Sequence, residues 1–104
     1  MKKIAILGST GSIGKNALNV IDAFNGQFEV AALTAHDNIE LLAEQVRKYR
    51  PKVAVVTNNR KVDEFRRIIK GCPTEVYSGQ EGLSLAAGLS EVDIVIAAIV
   101  GAAG

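Results

Sequence analysis

At 104 residues, 48% hydrophobic and 22% charged, with 10 glycines and only 2 prolines, the chain has the make-up of one compact soluble domain. A formal net charge of +1 argues against a nucleic-acid surface, which needs clustered Lys and Arg, and no membrane patch is implied. The single cysteine, Cys72, excludes an internal disulfide and a cysteine-cluster metal site; it reads as a structural thiol and suits a reducing cytoplasm.

Met1-Lys2-Lys3 leads directly into an apolar strand too short for a signal-peptide core or a membrane span, so no export signal is expected. That strand, Ile4-Ala5-Ile6-Leu7, runs into Gly8-Ser9-Thr10-Gly11-Ser12-Ile13-Gly14 and then a helix. Gly8 permits a tight turn, Gly11 lets a pyrophosphate approach the backbone, and Gly14 lets the helix pack against the strand. Free N–H groups at the helix start, with the helix dipole behind them, would donate to phosphate, and Thr10 and Ser12 add hydroxyls.

Ile13, Ala17, Val20, Ile21 and Phe24 recur at helical spacing, and Asn25-Gly26 supplies a stop. Phe28 to Thr34 reads as a second strand, nearly continuous in apolar character, as parallel strands covered on both faces are. Asp37 and Glu40 form a capping-box pattern before a helix with Ile39, Leu42, Ala43, Val46 and Tyr49 on its buried stripe, closed by Pro51. Val53 to Val56 is a third strand, and Val62, Phe65, Ile68 and Ile69 mark a third helix ending near Gly71 and Pro73. The basic stretch Arg60 to Arg67, interspersed with Asp63 and Glu64, reads as a solvated helix face. Glu75 to Tyr77 is a short strand, residues 79 to 89 a helix weakened by Gly82 and Gly88, and Asp93 to Val100 a strongly apolar strand.

Strands alternating with helices predict an α/β fold, a doubly wound parallel sheet of Rossmann-like type with right-handed crossovers. The last strand is expected beside the first with its other edge unpaired, which suggests a truncated dinucleotide-binding domain. An isolated chain could hide that edge by dimerising, swapping elements or aggregating. The spacing G-x-x-G-x-x-G is one residue longer than the common fingerprint, but its place between strand and helix points to dinucleotide binding.

Three segments carry a more specific likeness: Ile6 to Gly14 with its Ser-Thr-Gly-Ser order, Ala32-Leu33-Thr34-Ala35 followed by Asn38-Ile39, and Ala97-Ala98-Ile99-Val100-Gly101-Ala102-Ala103-Gly104. With them the chain resembles, over its whole length, the N-terminal part of the 1-deoxy-D-xylulose 5-phosphate reductoisomerase family. That resemblance implies the NADPH-binding portion, residues 1–104, of an enzyme of non-mevalonate isoprenoid biosynthesis. Such an enzyme converts 1-deoxy-D-xylulose 5-phosphate to 2-C-methyl-D-erythritol 4-phosphate, and its catalytic and C-terminal domains would lie outside this chain. By the same resemblance Gly8, Thr10, Gly11, Ser12 and Ile13 hold the pyrophosphate, His36 and Asn38 sit near the adenosine ribose and its 2′-phosphate, and Ala98, Ile99 and Val100 line the cofactor farther along. The intact enzyme is expected to be a cytoplasmic homodimer that takes a phosphosugar and a divalent cation, Mg or Mn.

The chain departs from that family at His36-Asp37, where a glycine and then a small or basic residue are usual. Asp37 could repel a 2′-phosphate, accept from a ribose 2′-OH, or turn away as a helix cap, which leaves NADPH against NADH open. His36, the only histidine, reads either as a solvent-facing loop residue or as a cofactor contact. Asp22, Glu29, Glu44, Asp63, Glu64 and Glu91 fall on helix surfaces or strand edges without ligand spacing, so no catalytic or metal-binding residue is expected within the chain. Two other readings of the residues are a stand-alone dinucleotide-binding regulatory module and the N-terminal part of another NAD(P)-dependent dehydrogenase.

Overall fold

Unbroken apolar runs at Ile4–Leu7, Val30–Leu33 and Val53–Val56 are buried throughout, because each lies in a sheet covered by helices on both faces. The computed structural model describes residues 1–24 and 26–99. Strand β1 (Lys2–Leu7) leads to α1 (Ser12–Ala23), β2 (Phe28–Ala35), α2 (Ile39–Tyr49), β3 (Val53–Val56), a 3-10 turn (Asn59–Lys61) and α3 (Val62–Ile68). β4 (Glu75–Ser78), α4 (Gly79–Ala87) and β5 (Ile94–Ala97) follow. The five strands are all parallel, in the order β4-β3-β2-β1-β5.

That order explains the layers. From β1 to β4 the chain steps across the sheet in one direction, so right-handed crossovers put α1, α2 and α3 on the same face. Leu18, Ile21, Leu42, Val46 and Phe65 pack there over Ile4, Ile6, Leu33 and Val56. The step from β4 back to β5 reverses direction, and α4 falls on the opposite face, with Ala86 over Ala5, Ala32, Val53 and Val55. Phe65 is fully buried, which is worth about 1.5–3 kcal/mol relative to leaving it in water. Cys72 packs, half-buried, against the first of these cores. No helix among the described residues is long and apolar enough to cross a membrane.

The expected elements are present, with three corrections. The inward face of α1 is Gly14, Leu18 and Ile21, whereas Ile13, Val20 and Phe24 are about half exposed, at 48%, 54% and 49%. Gly14 sets this rotation: a Cβ there would stand 2.6 Å from Ser9 Cα, so the helix must present its bare side to the turn. Asn38, not Asp37, is the N-cap of α2, its Oδ1 accepting from the Leu41 N–H at 3.2 Å. No Asp37–Glu40 box forms, because β2 continues through Ala35 and the Asp37 carboxylate accepts from Asn58, beyond the end of β3. Finally, β5 is confined to Ile94–Ala97. Its predecessor Asp93 ties the strand start to Lys3, accepting that residue's N–H at 2.9 Å. Residues 100–104, and Asn25 of the expected helix stop, lie outside the described residues.

β5 forms one edge, with Ile94 and Val95 exposed. The sheet therefore has β1, the strand carrying the glycine turn, directly beside its last strand.

Candidate functional site

Neighbouring strands β1 and β5 end together, with Leu7 opposite Ala97 and the Ala98 N–H donating to Leu7 O at 2.8 Å. This is the carboxyl edge of the sheet beside the point where the strand order reverses, where open α/β sheets form their crevice. Gly8 turns out of β1 with φ +84°. A side chain there would be strained and would press within 3.2 Å of the Ala98 carbonyl group and Ile99. The glycine turn is thus built by the meeting of two strand ends as well as by its own sequence.

The turn is also pinned from below. Gly8 N–H donates to Thr34 Oγ1 at 2.8 Å, and Ser9 N–H to Thr34 O at 2.8 Å. Ser9 Oγ donates to Gln45 Oε1 at 2.7 Å, while Gln45 Nε2 donates back to Ser9 O at 2.9 Å. Ser9, Thr34 and Gln45 are all buried, so this reciprocal pair is a satisfied polar network in a low-dielectric interior. Sequence reasoning missed all three as a unit. The legible signal was Gln45, a polar residue three positions after Leu42 on the buried stripe of α2.

Above this base Gly11, Ser12 and Ile13 are exposed. The N–H groups of Thr10, Ser12, Ile13 and Gly14 have no hydrogen-bond acceptor among the described residues. Gly11 is the N-cap of α1 with no side-chain cap, and the first turn holds no acidic residue. A Cβ on Gly11 would meet only Gly8 O, at 3.9 Å, so the space over it is open. Unpaired donors, a helix N-terminus and an absence of negative charge fit a phosphate group.

A cavity of about 390 Å³ continues from the turn across the strand ends, lined by Gly8, Thr34, His36, Thr57, Leu83 and Ile99 among others. His36 and Ile99 therefore join the turn residues Gly8, Thr10, Gly11, Ser12 and Ile13 at one edge. Ala98 is brought there by its backbone, since its side chain is buried in the core. Asn38 spends its carbonyl oxygen on the cap of α2, and Val100 falls outside the described residues.

At the rim, the β2 and β3 tips are cross-linked by side chains. His36 Nδ1 lies 2.7 Å from Thr57 Oγ1, and Asn58 Nδ2 donates to Asp37 Oδ1 at 2.6 Å. The Asn58 hydrogen bond holds the Asp37 carboxyl below the usual carboxylate range, with His36 and Lys61 adding to it. Among the described residues no three His, Cys, Asp or Glu side chains converge to hold a metal ion.

The Ser9–Gln45 network predicts a measurable effect. Gln45→Leu removes both hydrogen bonds between Ser9 and α2 while preserving volume; Ser9 Oγ can still donate to Thr34 O, but the Ser9 carbonyl is left without its donor, at a cost of about 1–3 kcal/mol. Thermal denaturation should show the melting temperature falling by roughly 4–8 °C for each kcal/mol. An unchanged Tm would mean that the turn stands without α2.

Comparison with known proteins bears on the same edge. The family model of 1-deoxy-D-xylulose 5-phosphate reductoisomerase matches residues 4–104. The chain is 46% identical over 104 residues to the 1-deoxy-D-xylulose 5-phosphate reductoisomerase of Thermodesulfovibrio yellowstonii, and 47% identical over 104 residues to that of Chloroherpeton thalassium. In both cases the whole chain aligns but spans only 27% of the relative's length. Among solved structures, it superposes with TM-score 0.94 and 32% identity on DOX-P reductoisomerase in complex with NADPH, fosmidomycin and magnesium, covering 99% of this chain and 26% of that one. The Zymomonas mobilis enzyme in complex with NADPH gives a TM-score of 0.90 at 31% identity, over 96% of this chain and 26% of that one.

Proposed function

Because the chain belongs to the 1-deoxy-D-xylulose 5-phosphate reductoisomerase family, we propose that it is the NADPH-binding portion of such an enzyme, acting in isoprenoid biosynthesis. The observation that carries this reading is that the N–H groups of Thr10, Ser12, Ile13 and Gly14 have no acceptor among the described residues, beside the open face of Gly11. These groups would donate to the cofactor's pyrophosphate, with the α1 dipole behind them. Gly8 and Ile99, at the β1–β5 junction, give the dinucleotide a smooth path along the strand ends, while His36 stands at the adenosine end. Membership of this family also replaces the reading as part of a different dehydrogenase.

Bound NADPH supplies the hydride of the reduction. This chain's own residues bind and orient it; no residue here is assigned to the rearrangement of the phosphosugar or to the divalent cation, and both belong to the intact enzyme. We read that enzyme as a homodimer of the cytoplasm, where the free thiol of Cys72 stays reduced.

Calorimetric titration of the 104-residue chain with NADPH should give saturable, weak binding, since the rest of the enzyme does not enclose the nicotinamide end and ordering is less well offset. An assay with 1-deoxy-D-xylulose 5-phosphate, NADPH and Mg²⁺ should show no turnover. Product formation by this chain would overturn the division of labour, and a folded chain that binds no dinucleotide would overturn the assignment of the site.

A further inference from the structure

In dinucleotide sites of this kind an acid at the tip of β2 accepts from the ribose 2′-OH of NADH, and a cation there receives the 2′-phosphate of NADPH. Asp37 stands in that region. On charge alone it favours the unphosphorylated cofactor, against the NADPH bound by the two solved relatives.

The structure shows where Asp37 is committed. Its Oδ1 accepts from Asn58 Nδ2 at 2.6 Å. Asn58 is itself fixed, because its Oδ1 accepts from the Arg60 N–H at 3.1 Å and so caps the 3-10 turn Asn59–Lys61. The same turn brings Lys61 to the β2 tip. Lys61, half-buried, places Nζ 3.4 Å from the Asp37 carbonyl oxygen, and exposed Arg60 stands next to it in the chain. Parallel pairing of β2 with β3, Ala35 opposite Val56, forces this meeting of segments some twenty residues apart. The basic stretch expected on one helix face is therefore divided: Arg60 and Lys61 precede α3 and lie at the carboxyl edge of the sheet, while Arg66 and Arg67 remain on the helix.

We propose that Lys61, with Arg60, receives the 2′-phosphate of the cofactor, while Asn58 holds the Asp37 carboxylate aside. The proposal rests on the dinucleotide-binding reading above and adds the residues that set its specificity. The Asp37 carboxylate is held by Asn58 and meets the Lys61 ammonium nearby, with Arg60 next in the chain, so a phosphate dianion is attracted to these cations where a hydroxyl gains little.

The test is calorimetric titration of the 104-residue chain with NADPH and NADH in parallel, for wild type, the Arg60→Gln/Lys61→Gln double variant and Asn58→Ala, each checked for fold by circular dichroism. Wild type should prefer NADPH. The double variant should lose about tenfold or more in NADPH affinity and less than about twofold in NADH affinity, with the NADPH effect shrinking at high salt as screened charges require. Asn58→Ala, which releases Asp37 and removes the Asn58 cap of the turn while leaving both cationic residues in place in the chain, should move the preference several-fold toward NADH. A wild type that prefers NADH, an unchanged NADPH-to-NADH ratio in the double variant, or an equal loss of both cofactors would overturn the proposal while leaving dinucleotide binding intact. Failure of the folded wild type to bind either cofactor would overturn the underlying reading and this proposal with it.

Discussion

Replacing Gly11 by aspartate is expected to raise the Kd for NADPH about 100-fold or more while leaving the protein at least as stable as before. Gly11 has φ −80° and ψ 176°, a conformation open to any residue, and a Cβ there meets nothing nearer than 3.9 Å. As an N-cap, aspartate would accept from the N–H groups of Ile13 or Gly14, the donors assigned to pyrophosphate, and its charge would favour the α1 dipole by about 0.3–1 kcal/mol. The same carboxylate would fill the anion site and repel the ligand, and two lost hydrogen bonds to a charged group cost about 1.5–3 kcal/mol each. Binding and stability should thus move in opposite directions, which neither misfolding nor a silent change would produce. Titration with NADPH and a melting curve on the same sample check both halves; NADPH binding retained with unchanged affinity would remove Gly11 from the site.

Gly14→Val is expected to act the other way round, through the fold. A Cβ at Gly14 would stand 2.6 Å from Ser9 Cα and 2.8 Å from Ser9 C, with Gly8 O closer still. All of these are backbone atoms, so no side chain can swing aside to make room. Either α1 withdraws from β1, opening the Leu18 and Ile21 packing, or the turn distorts and breaks the Ser9–Gln45 pair. Overpacking of this kind costs about 1–3 kcal/mol or more, a large part of the roughly 5–15 kcal/mol that holds a domain folded. At about 4–8 °C per kcal/mol, Tm should fall by roughly 4–24 °C or more. A variant melting within about 2 °C of wild type would show that α1 is held by something other than this contact.

The two glycines show how much of the site is legible without coordinates. Their separate roles follow from the strand, turn and helix that surround them, and the parallel sheet follows from apolar runs that alternate with helical stripes. Helix rotation was not legible in the same way. Ile13, Val20 and Phe24 repeat at helical spacing as well as Leu18 and Ile21 do, and only the contact of Gly14 with the turn selects which set faces inward. Asp37 and Glu40 matched a cap by local pattern, yet Asn38 caps α2 while Asp37 is engaged by Asn58, just beyond β3.

By itself, then, the chain's sequence determined the fold class, the position of the glycine turn and the family, since these depend on local conformational preference and on residues adjacent in the chain. Tertiary structure alone decided the phase of α1, the buried Ser9–Thr34–Gln45 support and the approach of Asn58 and Lys61 to Asp37. The phase of α1 turns on the contact of Gly14 with Gly8 and Ser9; the other two join segments roughly twenty to thirty-six residues apart, and parallel strand register, which no local pattern encodes, is what brings such segments within hydrogen-bond reach.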